Sequence, residues 1–206
     1  MNTESLQITQ AQIIELSKRA YETAKAQGFY TDDTNVPTEM MLIITEMAEA
    51  VQADRRDLHA DITQYYKGLG KSKSKEIAYE EFLEGTVESE FADIAIRILS
   101  LLGWYNSIMQ IEYLTDAQIY NRLSVHYIKC QKDHFDLPRG LYYIIGNSIS
   151  LSELEYSPSW IVIGLLQDTL CMVFALAKHL GIPLMEHIKL KMQYNETRDY
   201  KHGYKY

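Results

Sequence analysis

The sequence predicts an all-α helical bundle. Apolar residues recur at helical spacing, i, i+3, i+4 and i+7, through most of the 206 residues. Glycine and proline fall where such runs end or begin. Short runs with strand propensity, such as 141–145, have flanks and lengths that favour helix instead.

A first helix is expected from about Thr9 to Gln27, ended by Gly28. A second opens after Asn35 and Val36, with Pro37 suited to a first helical turn, and runs to about Asp57. Residues 58–75 are less regular, and the stretch from Lys67 to Lys75 has the composition of a flexible basic loop. A third helix is expected from about Tyr79 to Leu102, with Gly103 and the region around Ile108 interrupting the pattern. A fourth covers Asp116 to Lys132. Asp136 to Gly140 reads as a turn, followed by a helix from Leu141 to Leu154. Ser157 and Pro158 open another, which reaches Leu180. Gly181 and Pro183 separate it from the last, which ends near Thr197.

The length fits one domain, 1–206, or two small repeats sharing a core. With 47% hydrophobic residues a sizeable core is available. The net charge of -8 argues against a nucleic-acid partner, which calls for a basic excess. Cys130 and Cys171 stand in unrelated contexts, which disfavours a zinc site or disulfide framework and suits a reduced, cytoplasmic compartment. The N-terminus lacks the basic and apolar regions of a signal peptide. No membrane span is expected, since the nearest approach to ~18 uncharged apolar residues, from Trp160 to Ala177, is broken by Gln167 and Asp168.

The order of elements repeats. The segment 8–14 (Ile-Thr-Gln-Ala-Gln-Ile-Ile) matches 114–120 (Leu-Thr-Asp-Ala-Gln-Ile-Tyr). Leu42 to Ile44 has a counterpart in Tyr143 to Ile145, and Ala92 to Leu99 one in Gln167 to Phe174. Three blocks in the same order imply a degenerate duplication, with halves of 1–106 and 112–206. On that alignment Glu46 falls opposite Asn147, Glu49 opposite Ser150 and Glu90 opposite Leu165. Asp93 alone keeps a carboxylate counterpart, Asp168. The second half is therefore expected to complete one site rather than carry another.

Two acidic pairs carry the chemistry. Glu46 and Glu49 are spaced i, i+3 on the second helix, and Glu90 and Asp93 are spaced alike on the third. Each pair borders an apolar stripe and has no lysine at i+4. Packed together, the two helices would bring four carboxylates to one place. Such a group repels itself unless a cation sits among its members, and a hard divalent ion suits its oxygens. On the closing helix Lys191, Asn195 and Arg198 share a face. Lysine and arginine suit phosphate oxygens, and asparagine suits sugar or phosphate hydrogen bonds. A basic, aromatic tail follows, in which Lys201 could extend the same set. The six histidines lack the Glu-x-x-His spacing of a di-iron bundle. No phosphate-binding glycine loop, dinucleotide fingerprint or Ser/His/Asp set is present.

The two acidic motifs and their surroundings resemble the all-α nucleoside triphosphate pyrophosphohydrolases. That superfamily comprises the MazG-like proteins, the dimeric dUTPases and the phosphoribosyl-ATP pyrophosphatases. The helix from Leu42 to Val51, the helix from Glu90 to Arg97 and the closing segment from Gly181 to Arg198 carry the resemblance. Thr45 stands where the family usually has a glutamate, the interval from Glu49 to Glu90 is longer than usual, and additional residues precede the closing helices. The resemblance implies a MazG-like bundle and hydrolysis of a nucleoside triphosphate to the monophosphate and pyrophosphate. It implies magnesium, or manganese, bound by Glu46, Glu49, Glu90 and Asp93, with Glu49 also positioning the attacking water. Relatives form dimers or tetramers, so a homodimer is one expected state, and a fused pair standing alone is another. The alternative from a different class is a helical nucleotide-binding or scaffold protein that has lost turnover.

Overall fold

The computed structural model describes residues 8–71, 73–148 and 158–198, and among these it contains nine helices and no strand. They are α1 (Gln10–Ala26), α2 (Val36–Asp54), α3 (Ile62–Gly70), α4 (Lys75–Phe82), α5 (Val87–Met109), α6 (Asp116–Lys132), α7 (Leu137–Ser148), α8 (Ser159–Leu180) and α9 (Leu184–Asn195). The all-α expectation holds.

Most of the starts are specified locally. Thr9 caps α1 and Thr115 caps α6, each in a reciprocal capping box with a glutamine three residues on, Gln12 and Gln118. Asn35, Asp61, Ser74 and Thr86 cap α2 to α5 through their side chains. Gly181, at φ +79, ends α8 in the left-handed conformation that glycine adopts without steric cost.

Four expectations need correction. The single helix expected from Tyr79 to Leu102 is two, because the chain turns between Phe82 and Val87. Gly85 takes φ +71 there, and Thr86 starts α5 afresh. The basic stretch from Lys67 to Lys75 is not one loop. Lys67 lies in α3 and Lys75 begins α4, while Lys73 pairs with Glu81 and lies over the Phe82 ring. Gly103 does not interrupt α5, which runs on to Met109; its missing side chain lets α1 approach, as a Cβ there would lie 2.2 Å from the Ser17 carbonyl oxygen. The helix expected from Leu141 begins earlier, at Leu137, with Pro138 in its first turn.

α5 and α8 form the centre and pack on each other. α1, α2 and α9 also pack on α5, and α6 and α7 pack on α8. Both central helices are buried on most sides: Phe91, Ile94, Ile98 and Leu101 of α5 are fully buried, as are Val173, Phe174 and Leu176 of α8. By length and composition α8 is apolar enough to cross a membrane, and most of it is buried inside this bundle. The packing follows the same order in both halves, with α1 and α2 around α5 and α6 and α7 around α8. The two capping boxes also meet, since the Gln10 amide donates to Asp116 Oδ1 at 2.7 Å. A smaller apolar cluster of Tyr65, Ala78, Tyr79, Leu83 and Leu190 joins α3 and α4 to α9. It fixes α4 and the following turn beside the acid-bearing end of α5.

Candidate metal centre

Packing of α2 on α5 brings Glu46, Glu90 and Asp93 together, with ligand oxygens all within 4.8 Å of one another. Glu49 lies outside this tight trio. It is exposed and lines the same cleft, one helical turn from Glu46. Two first-turn acids of α5, Glu88 and Glu90, sit where the partial positive charge of a helix N-terminus favours them. Glu88 is used structurally: it accepts from the Ala60 amide at 2.9 Å and contacts His59 Nδ1 at 3.1 Å, holding the preceding loop against α5.

The trio carries more negative charge than its neighbours neutralise. Glu90, only 7% exposed, is pushed up to about 8, first by burial and then by the charge of Asp93, with Lys191 opposing. Burial also raises Asp93, against the pull of Lys191. Two protein cations reach the group. Lys191 Nζ lies 2.8 Å from Asp93 Oδ2 and 2.8 Å from Glu84 Oε2. Burial alone would lower its pKa, but Asp93, Tyr79 and Glu84 outweigh this and hold it raised. Arg97, two turns along α5 from Glu90, pairs through Nε with Glu46. An all-carboxylate donor set with surplus negative charge fits a hard divalent ion such as magnesium or manganese.

The trio lies on the wall of a cleft of about 540 Å³. Lys191, Asn195 and Arg198, expected to share a face of the closing helix, all line this cleft. Their situations differ. Lys191 is buried under the Tyr79 and Tyr194 rings, which stack at 4.5 Å, and it is committed to two carboxylates. Asn195 Oδ1 is buried and has no hydrogen-bond partner among the described residues. The Arg198 guanidinium lies 5.6 Å above the Tyr194 ring. Lys201 and Ser150 lie outside the described residues. Thr45, at the position where a glutamate was expected by resemblance, lines the cleft and bonds back to the Met41 carbonyl at 3.0 Å.

Several cleft residues were not singled out from the sequence. α1 contributes Thr23 and Ala24, and its C-cap Gln27 also lines the cleft, where Gln27 Nε2 donates to the Asn195 carbonyl at 2.5 Å. Tyr30 and Glu39 close the cleft beside Arg97, and burial raises the pKa of both. Glu84 lies in the turn that was read as continuous helix. The sequence sets Arg97 on the same edge of α5 as Glu90 and Asp93, four residues after Asp93, but does not show its partner, Glu46.

In the second half, Asp168 is held by an arginine and a histidine. It accepts from Arg122 Nη1 at 2.7 Å and contacts His126 Nε2 at 3.2 Å. Burial acts to raise its pKa, but these two partners outweigh it and the pKa is lowered. Asn147 bonds within its own helix, to the Tyr143 carbonyl at 2.7 Å, and Leu165 is a half-buried apolar residue on α8.

Comparison of the chain with known families, curated proteins and solved structures finds no match to any of the three.

Proposed function

We propose that the chain is a divalent-metal-dependent nucleoside triphosphate pyrophosphohydrolase. The observation that carries this is the meeting of Glu46, Glu90 and Asp93 on the wall of a cleft that Asn195 and Arg198 also line. In this reading water attacks the α-phosphorus, the bond to the bridging oxygen breaks, and pyrophosphate leaves with that oxygen. Glu46, Glu90 and Asp93 would hold the ion, with Glu49 beside them. A magnesium ion so held supplies charge neutralisation and Lewis acidity to the triphosphate.

The remaining roles belong to the chain itself. Glu49 is the exposed acid of the set, so it can orient water and take its proton. Arg198 offers a planar set of donors to phosphate oxygens. Asn195 Oδ1 can accept from a sugar hydroxyl, which would satisfy a buried acceptor. Lys191 fixes Asp93 and Glu84 as their buried counter-ion. Leu42, Phe29, Ile96 and Met192 give the cleft an apolar wall suited to a base. The packing order shared by the halves supports an origin by duplication, with the second half completing one site.

One observation favours the non-catalytic alternative. Two of the three clustered acids already have protein counter-ions, Arg97 and Lys191. In a scaffold those pairs would be permanent. Pyrophosphate release measured with magnesium over a panel of nucleoside triphosphates separates the readings. Turnover that disappears in Glu49→Gln and Glu46→Gln supports the hydrolase; absence of turnover with every nucleotide supports the scaffold.

A further inference from the structure

The two cations that neutralise the acid cluster are not equivalent. The Lys191 side chain is 4% exposed and its ammonium is shared among Asp93, Glu84 and, at 3.5 Å, Ser89. Moving it would leave two carboxylates unpaired between α4, α5 and α9. The Arg97 side chain is 34% exposed and lines the cleft. Its hydrogen bond to Glu46 uses Nε, and among the described residues its terminal amino groups have no hydrogen-bond partner. Its donors are thus only partly used, although Glu39 and Asp93 add to the charge that holds it.

Arg97 also sits on the edge of α5 that carries Glu90 and Asp93, at i+7 and i+4 from them. A cation entering the trio would have to share Glu46 with this guanidinium. Coulomb repulsion between the two positive groups then weakens the ion pair. The guanidinium can leave one carboxylate without unfolding anything, because its stem is anchored on α5 and its head is already at the cleft surface. A planar head with free paired donors suits a phosphate group in the same cleft.

We propose that Arg97 is a partner-switching positioning residue. It neutralises Glu46 when no divalent cation is held, and it transfers its guanidinium to a phosphate of the nucleotide when one is. This rests on the metal reading of Glu46, Glu90 and Asp93. The device couples the two ligands: cation binding frees the arginine that the nucleotide needs, so each ligand strengthens the other.

The test uses binding rather than turnover. Calorimetric titration with manganese alone is expected to show Arg97→Gln binding the ion about tenfold more tightly than wild type, because the competitor for Glu46 is gone. With manganese saturating, the same variant is expected to bind a non-hydrolysable triphosphate analogue about tenfold more weakly, and Arg97→Lys to recover part of that loss. A structural arginine would not split the two ligands in opposite directions. Loss of affinity for both, or no change in either, would make Arg97 a fixed counter-ion and overturn the proposal. Should Arg97→Gln fail to fold, Glu46→Gln addresses the same point by releasing the guanidinium. Its affinity for inorganic triphosphate without metal is expected to rise severalfold, and an unchanged affinity refutes the switch. A wild type that binds no manganese removes the metal reading itself, whereas manganese binding without the opposed shifts removes only the switch.

Discussion

Lys191 Nζ lies 2.8 Å from Asp93 Oδ2, and the lysine side chain is 4% exposed. This pair spans α9 and α5 and makes the closing helix part of the acid site. Lys191→Met should therefore cost stability, about 3 kcal/mol, because it leaves Asp93 and Glu84 without their cation. Urea denaturation measures the loss. A cost below about 0.5 kcal/mol, the range of an ordinary surface substitution, would show that the pair contributes little.

The same contact separates the acids by their effect on folding. Asp93→Asn strips Lys191 of one partner but also removes a carboxylate whose pKa burial raises, so it should change stability less than the Glu90 substitution does. Glu90→Gln removes a buried carboxyl that no ion pair offsets and that must take up a proton on folding at neutral pH, so it should stabilise the chain in chelator by about 1–2 kcal/mol. A clear gain in melting temperature for Glu90→Gln and a smaller shift for Asp93→Asn are the expected result. A Glu90→Gln variant no more stable than the wild type would mean that the cluster does not repel itself.

Magnesium at a hundredfold excess over its dissociation constant should stabilise the wild type by about 2.7 kcal/mol. Thermal denaturation with and without magnesium should show that gain strongly reduced in Glu46→Gln, which loses one member of the trio. An equal gain in both proteins would remove Glu46 from the site.

Gly103 marks the closest approach of α1 to α5. A Cβ would lie 2.2 Å from the Ser17 carbonyl oxygen and 2.6 Å from Tyr21 Cβ. The first of these is backbone, so the helices must part. Gly103→Ala should destabilise by about 2–3 kcal/mol, against the small gain that alanine gives an exposed helix. Because α1 also lines the cleft, the nucleotide affinity expected under the proposed function should fall along with stability.

Asp168 gives the second half a pH signature. Its folded pKa lies below the ordinary 3.8, so its stabilisation is present above that value and is lost as pH falls through the folded pKa. Asp168→Asn should cost about 1–2 kcal/mol at pH 7. The difference from wild type should close as pH drops below about 3.8, followed by denaturant melts across the acid range. A gap that persists in acid would assign the cost to packing rather than charge.

The sequence by itself determined the helical class, most helix starts and the acid pairs. These depend on neighbours within four residues: a capping threonine with a glutamine three on, a glycine past the last turn, carboxylates at i, i+3. It also put Lys191, Asn195 and Arg198 on one face, and they line one cleft. It misjudged the turn at Glu84 and Gly85, because the helical pattern of Tyr79 to Phe82 continues in phase across it. Gly85 and the capping Thr86 are local signals of the break, and the packing of Tyr79 and Leu83 on α9 holds α4 apart from α5. Tertiary structure alone decided which cation neutralises which acid. Arg97 and Glu46 are 51 residues apart, and Lys191 and Glu84 are 107. Pairing at such separations is set by how α2 and α9 lie on α5, which is settled by the fit of whole apolar faces rather than by any local motif.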